Sequence, residues 1–137
     1  MKCLPKRINE RAGLLIFGLD YSFIAIEKIK TGYSISRVVC KRADQGKAEE
    51  TMATTCISEK EIYFRVEVRP ENEKEIIPKV LCNFSYSVDG KTFYPLGIEF
   101  IAREGKWVGA KVGVFSVKSK ENNNAGYADF DWIRFSK

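Results

Sequence analysis

The sequence predicts a single all-β domain, an antiparallel β-sandwich. Three observations carry this. Apolar residues recur at every second position in several separate runs. Turn-forming residues interrupt those runs at short intervals. No stretch carries the apolar stripe of a packed helix. A chain of 137 residues matches one domain, and its 45% hydrophobic and 30% charged residues match a folded rather than a disordered one.

The elements follow in order. Leu14–Phe17 and Phe23–Ile26 are apolar runs joined by Gly18-Leu19-Asp20, a predicted hairpin. Lys30-Thr31-Gly32 marks a second turn. Ala43 to Ala53 holds helix-friendly residues without an apolar face, so a surface loop or a short turn of helix is expected there. Ile62, Phe64, Val66 and Val68 alternate with Tyr63, Arg65, Glu67 and Arg69, the pattern of a strand with one wet face. The stretch from Pro70 to Pro78 reads as an exposed connection. Cys82, Phe84, Tyr86 and Val88 form the next apolar face. Asp89-Gly90 then predicts a tight type I′ hairpin into Lys91–Tyr94. Glu104-Gly105 marks another turn. Val108, Ala110, Val112 and Val114 make a further strand face. Asn122–Asn124 is a polar loop before a last strand in which Ala128, Phe130 and Trp132 face the core. Two such sheets, stacked about 10 Å apart, complete the core.

Composition narrows the function. The net charge is +5, but Lys and Arg are interleaved with acids, as at Glu27-Lys28 and Glu59-Lys60-Glu61. That is a solvated surface rather than a basic stripe, so no nucleic-acid partner is expected. No apolar run has the length of a membrane span, and no signal-type region follows Met1-Lys2-Cys3. The sequence has no His, which removes Ser-His-Asp and Cys-His catalysis. Walker and dinucleotide-binding loops are also missing. Four cysteines, Cys3, Cys40, Cys56 and Cys82, lack zinc or knot spacing and are expected as free thiols.

Two groups of residues are candidates for chemistry. Asp129 and Asp131 are two apart in the last predicted strand, which sets their Cα atoms about 6.5–7 Å apart. A wet strand face is the first reading, a structural calcium site the second, and a glycosidase-type carboxylate pair the third. No other cofactor is expected. Exposed aromatic rings suit the apolar faces of sugars, and Trp107, Tyr127 and Tyr21 are the candidate carbohydrate-binding residues.

Five segments, in this order, carry a resemblance. They are Ala12-Gly-Leu-Leu-Ile-Phe-Gly-Leu-Asp-Tyr21, the stretch from Val38 to Glu49, and Phe84-Ser-Tyr-Ser-Val-Asp-Gly-Lys-Thr-Phe93 with Pro95-Leu-Gly97. Gly105-Lys-Trp-Val-Gly-Ala-Lys-Val-Gly-Val-Phe115 and Gly126-Tyr-Ala-Asp-Phe-Asp-Trp-Ile-Arg-Phe135 complete the set. They resemble the C-terminal domain of glycoside hydrolase family 43 enzymes, the β-xylosidases and α-L-arabinofuranosidases. The resemblance runs from about residue 10 to the end of the chain. It implies a concanavalin A-like jelly roll lacking some of the family's N-terminal strands. It also implies a non-catalytic role beside a catalytic propeller, whose carboxylates this chain does not contain. A stand-alone module for xylan- or arabinan-type sugars is the alternative. Missing strands expose sheet edges, so homo-oligomerisation through them is expected.

Overall fold

The computed structural model describes residues 1–4, 7–72, 74, 79–103, 109–118 and 126–137. Within them the regular structure is strand, apart from one turn of 3₁₀ helix at Ala43–Gln45. The strands are β1 (Lys2–Leu4), β2 (Arg11–Phe17), β3 (Tyr21–Ile29), β4 (Gly32–Cys40), β5 (Glu50–Ile57) and β6 (Tyr63–Pro70). They continue as β7 (Val80–Ser87), β8 (Tyr94–Pro95), β9 (Phe100–Ala102), β10 (Lys111–Val117) and β11 (Tyr127–Asp129).

One sheet has the order β10-β2-β3-β4-β5, antiparallel throughout. A second pairs β6 with β7, and β7 with both β8 and β9. β1 and β11 form a two-stranded ribbon. The core lies between the two larger sheets. Ala12, Ile16, Ile24, Ile26, Ile35 and Val39 project from the first, Cys82, Phe84 and Phe100 from the second, and Ile62 joins them from just before β6. Each fully buried isoleucine contributes about 1.5–3 kcal/mol over its exposed state. β3 is apolar on both faces, because Phe23 and Ala25 are buried on its outer side with Val38 of β4. The continuous run Phe23–Ile26 is the sequence mark of such a central strand.

The predicted hairpin at Gly18–Asp20 joins β2 to β3, and the predicted turn at 30–32 joins β3 to β4. Asp20 is buried and locks the first of these corners. Its carboxylate accepts bonds from Arg103 Nε (2.6 Å), Arg103 Nη2 (2.5 Å) and the Arg42 backbone N–H (2.7 Å). The Arg103 guanidinium holds the Asp20 carboxyl below the usual carboxylate range, against the upward pull of burial. Gly18 lets the Arg103 backbone approach, since a Cβ at Gly18 would stand 2.0 Å from the Arg103 carbonyl oxygen.

Other expectations are corrected. Asp89-Gly90 does not form a two-residue type I′ turn. Only Gly90 takes positive φ (71°), and the strands are joined by the longer loop 88–93. Asp89 Oδ1 accepts from the N–H groups of Lys91 and Thr92 (both 2.8 Å) and from the Ser87 hydroxyl. These bonds organise the wider loop and hold the Asp89 carboxyl at about 2. The stretch 43–53 contains the short 3₁₀ turn, but Glu50–Ala53 begins β5. The open edge of β4 and the β-branched Thr51, Thr54, Thr55 and Ile57 override the helix-friendly start.

Val112 and Val114 are paired with Ile16 and Leu14, hence on the inner face, yet both are exposed. The second sheet lays β6 over β2 and β7 over β3, short of β10. Val68 of β6 and Val88, one residue past β7, are likewise exposed. Phe130 packs on the core, but Trp132 is 61% exposed, because the described strand β11 ends at Asp129. Cys40 and Cys82 are buried free thiols and Cys56 an exposed one. The turn expected at Glu104-Gly105, the loop at Asn122–Asn124 and Val108 lie outside the described residues.

Candidate functional site

The outer face of the five-stranded sheet carries a groove. Hairpin pairing sets Phe17 of β2 opposite Tyr21 of β3, and the strand's two-residue period puts Phe23 on the same side as Tyr21. The three rings make a near-parallel row. Phe17 and Tyr21 are 6.3 Å apart at 21°, and Tyr21 and Phe23 are 6.3 Å apart at 17°. Phe115 of β10 meets Phe23 edge-on at 5.0 Å. Leu15 and Val117 complete the apolar lining, and the cavity holds about 310 Å³.

Arg11 and Glu49 supply the polar side. The guanidinium makes a two-point ion pair with the carboxylate, at 2.8 Å and 3.0 Å. The Tyr21 hydroxyl donates to the same carboxylate at 2.9 Å. Arg11 also lies over the Phe23 ring at 4.9 Å. Burial pushes the Tyr21 phenol up, and its bond to Glu49 adds to the shift. The phenol therefore stays protonated and remains a donor. The opposite charges of Arg11 and Glu49 cancel, so the groove joins an aromatic floor to a polar, formally neutral wall.

The sequence-derived candidates separate in space. Tyr21 lies in this groove. Tyr127 is half exposed on β11, beside a shallow depression of about 20 Å³ that shares Arg11 and Val117 with the groove. Trp107 lies outside the described residues. Asp129 closes β11 and Asp131 follows it without strand structure, both exposed, so the two are not a pair on one described strand. The described residues hold no group of three or more His, Cys, Asp or Glu side chains arranged around a metal position. Sequence reasoning missed Phe17, Phe23, Phe115, Arg11 and Glu49. The first two were within reach, because the hairpin register around Gly18–Asp20 aligns them with Tyr21. Glu49 and Phe115 come from distant segments and needed the assembled sheet.

Residues 1–136 match the family model described as the β-xylosidase C-terminal concanavalin A-like domain. A β-xylosidase of Formosa agariphila is 34% identical over 82 residues, covering 50% of this chain and 14% of that protein. A solved structure of a family 43 glycoside hydrolase superposes with a TM-score of 0.67 at 19% identity. That enzyme was engineered at its active site to display endo-xylanase and exo-arabinofuranosidase activity. The match covers 88% of this chain and 25% of the solved one. The chain thus spans a quarter or less of each of these relatives.

Proposed function

Since this chain belongs to the C-terminal concanavalin A-like domain family of the family 43 β-xylosidases, we propose that it serves as a non-catalytic accessory domain that packs on a glycosidase catalytic propeller. The observation that supports docking is apolar surface the fold leaves uncovered. Trp132, Ile133 and Phe135 are 61%, 55% and 81% exposed in the last six residues. Large apolar side chains left this exposed suit contact with a partner. The test mixes the chain with the Formosa agariphila β-xylosidase truncated to remove the segment this chain matches, at about 50 μM each, a range suited to inter-domain contacts, in sedimentation velocity. A complex that Phe135→Ser abolishes supports the reading. Two independent boundaries at every ratio overturn it.

The groove favours a second reading, binding of a xylan- or arabinan-type sugar. Its support is the aromatic row beside a neutral polar wall, together with the β-xylosidase and endo-xylanase activities named for the relatives.

A further inference from the structure

We infer that the groove on the outer face of the five-stranded sheet is a binding site for a neutral oligosaccharide, with Phe17 and Tyr21 as its stacking rings and Glu49 and Arg11 as its hydroxyl clamp. This assigns the site for the sugar-binding reading given above and rests on it.

The chemistry of the lining selects the ligand class. The sugar ring has apolar C–H faces and a hydroxyl edge, so it needs an aromatic surface and paired donors and acceptors in one place. Phe17, the last residue of β2, offers a ring that is 54% exposed on the outer face. Tyr21 and Phe23 extend the row toward the groove floor. The wall then provides both senses of hydrogen bond. Glu49 accepts three bonds in the free groove, two on Oε1 and one on Oε2, and a carboxylate has about four acceptor positions. Arg11 donates through both terminal nitrogens to Glu49 and keeps further N–H groups. A vicinal diol, which donates through one hydroxyl and accepts through the other, matches that pair.

Charge argues against other occupants. The ion pair cancels its own field, so neither a phosphate nor an acidic or basic peptide gains from it. A purely apolar segment would bury the Glu49 and Arg11 groups without replacing their contacts with water, which is unfavourable. The volume of about 310 Å³ is at the lower end of small-ligand sites, enough for a short stretch of sugar chain rather than a folded partner.

The experiment is isothermal titration of the whole chain with xylotetraose and arabinotetraose up to about 10 mM, a range that reaches weak, millimolar sites. It compares wild type with Phe17→Ala, Glu49→Gln and Tyr94→Ala, the last an exposed tyrosine of the other sheet. Thermal unfolding of each variant verifies folding, and Phe17→Ala keeps its core because the ring is half exposed. The assignment expects saturable binding, weakened roughly tenfold by Phe17→Ala and by Glu49→Gln, and unchanged in Tyr94→Ala. Binding that both groove variants leave intact overturns the groove while the sugar-binding reading stands. No heat with either sugar overturns both.

Discussion

Arg37 makes the most demanding prediction. Its side chain is 0% exposed in the middle of β4, pointing between the sheets. Its Nη1 donates to Ser22 Oγ and to the Val38 carbonyl (2.9 Å), and the guanidinium lies 4.1 Å from the Phe84 ring centroid. Nε and Nη2 have no hydrogen-bond partner among the described residues. Among the described residues no carboxylate forms an ion pair with it. Cys82, which interacts with it electrostatically, has its thiol pushed up to about 11 by burial and so stays neutral. Burial in turn pushes the Arg37 guanidinium down to about 10.

That depression amounts to about 3 kcal/mol against the charged form in the folded chain at neutral pH, at about 1.4 kcal/mol per tenfold. The Phe84 stack returns about 1–2 kcal/mol of this. Arg37→Met removes the charge and keeps an unbranched side chain, two atoms shorter than that of arginine. It strands no partner, because the Ser22 hydroxyl still donates to the Val38 carbonyl at 2.6 Å. The thioether regains about 1 kcal/mol of contact with the ring, and the space left by the guanidinium costs about 1 kcal/mol. The expected outcome is a variant more stable by about 1–3 kcal/mol, in line with replacing other buried charges by apolar groups.

Urea unfolding at pH 7 reads this as a midpoint raised by about 1 M with unchanged slope. The sign of the pH dependence follows from the lowered value. Above pH 10 the folded chain has released the proton that the unfolded chain still binds, so wild-type stability rises with pH there. The gap between variant and wild type therefore narrows as the pH passes 10. A variant less stable than wild type, or a gap independent of pH, would refute the reasoning and mean that the fold satisfies the guanidinium.

Two further predictions concern the β2–β3 corner. Gly18→Ala forces the Arg103 backbone away from the hairpin and loosens the Asp20 ion pair, so a loss of about 2 kcal/mol or more is expected in the same urea assay. A midpoint within error of wild type would show that the close approach is not needed. Asp20 has a lowered carboxyl, so its contribution is present above the ordinary carboxylate range and is lost as the pH falls through its folded value. Asp20→Asn is expected to lose about 1–2 kcal/mol at pH 7, with Arg103 half exposed and its bonds partly screened. The deficit of the variant should shrink as the pH falls below the ordinary carboxylate range. Thermal melts across that range check it, and parallel curves would remove Asp20 from the acid response.

The sequence by itself determined the fold class, the β2–β3 and β3–β4 turns, and the strand faces built on Ile62, Phe64 and Val66 and on Cys82 and Phe84. Period two and turn chemistry are local properties, written within a few residues. The five ordered segments also carried the family resemblance. Tertiary structure decided the rest. Which members of an alternating run are covered depends on where the opposing sheet ends. Val112 and Val114 have the pattern of core residues and stay exposed because no described strand lies over β10. Glu50–Ala53 became strand because β4 offered an unpaired ladder edge. Arg37 reads in the sequence as an ordinary charged residue, and only the stacking of two sheets buries it. The groove has the same origin. Arg11, Phe17, Tyr21, Phe23, Glu49 and Phe115 come from four separate segments; the hydrogen-bond register of one sheet brings the strand residues onto one face, and Glu49, just before β5, joins them through Arg11 and Tyr21.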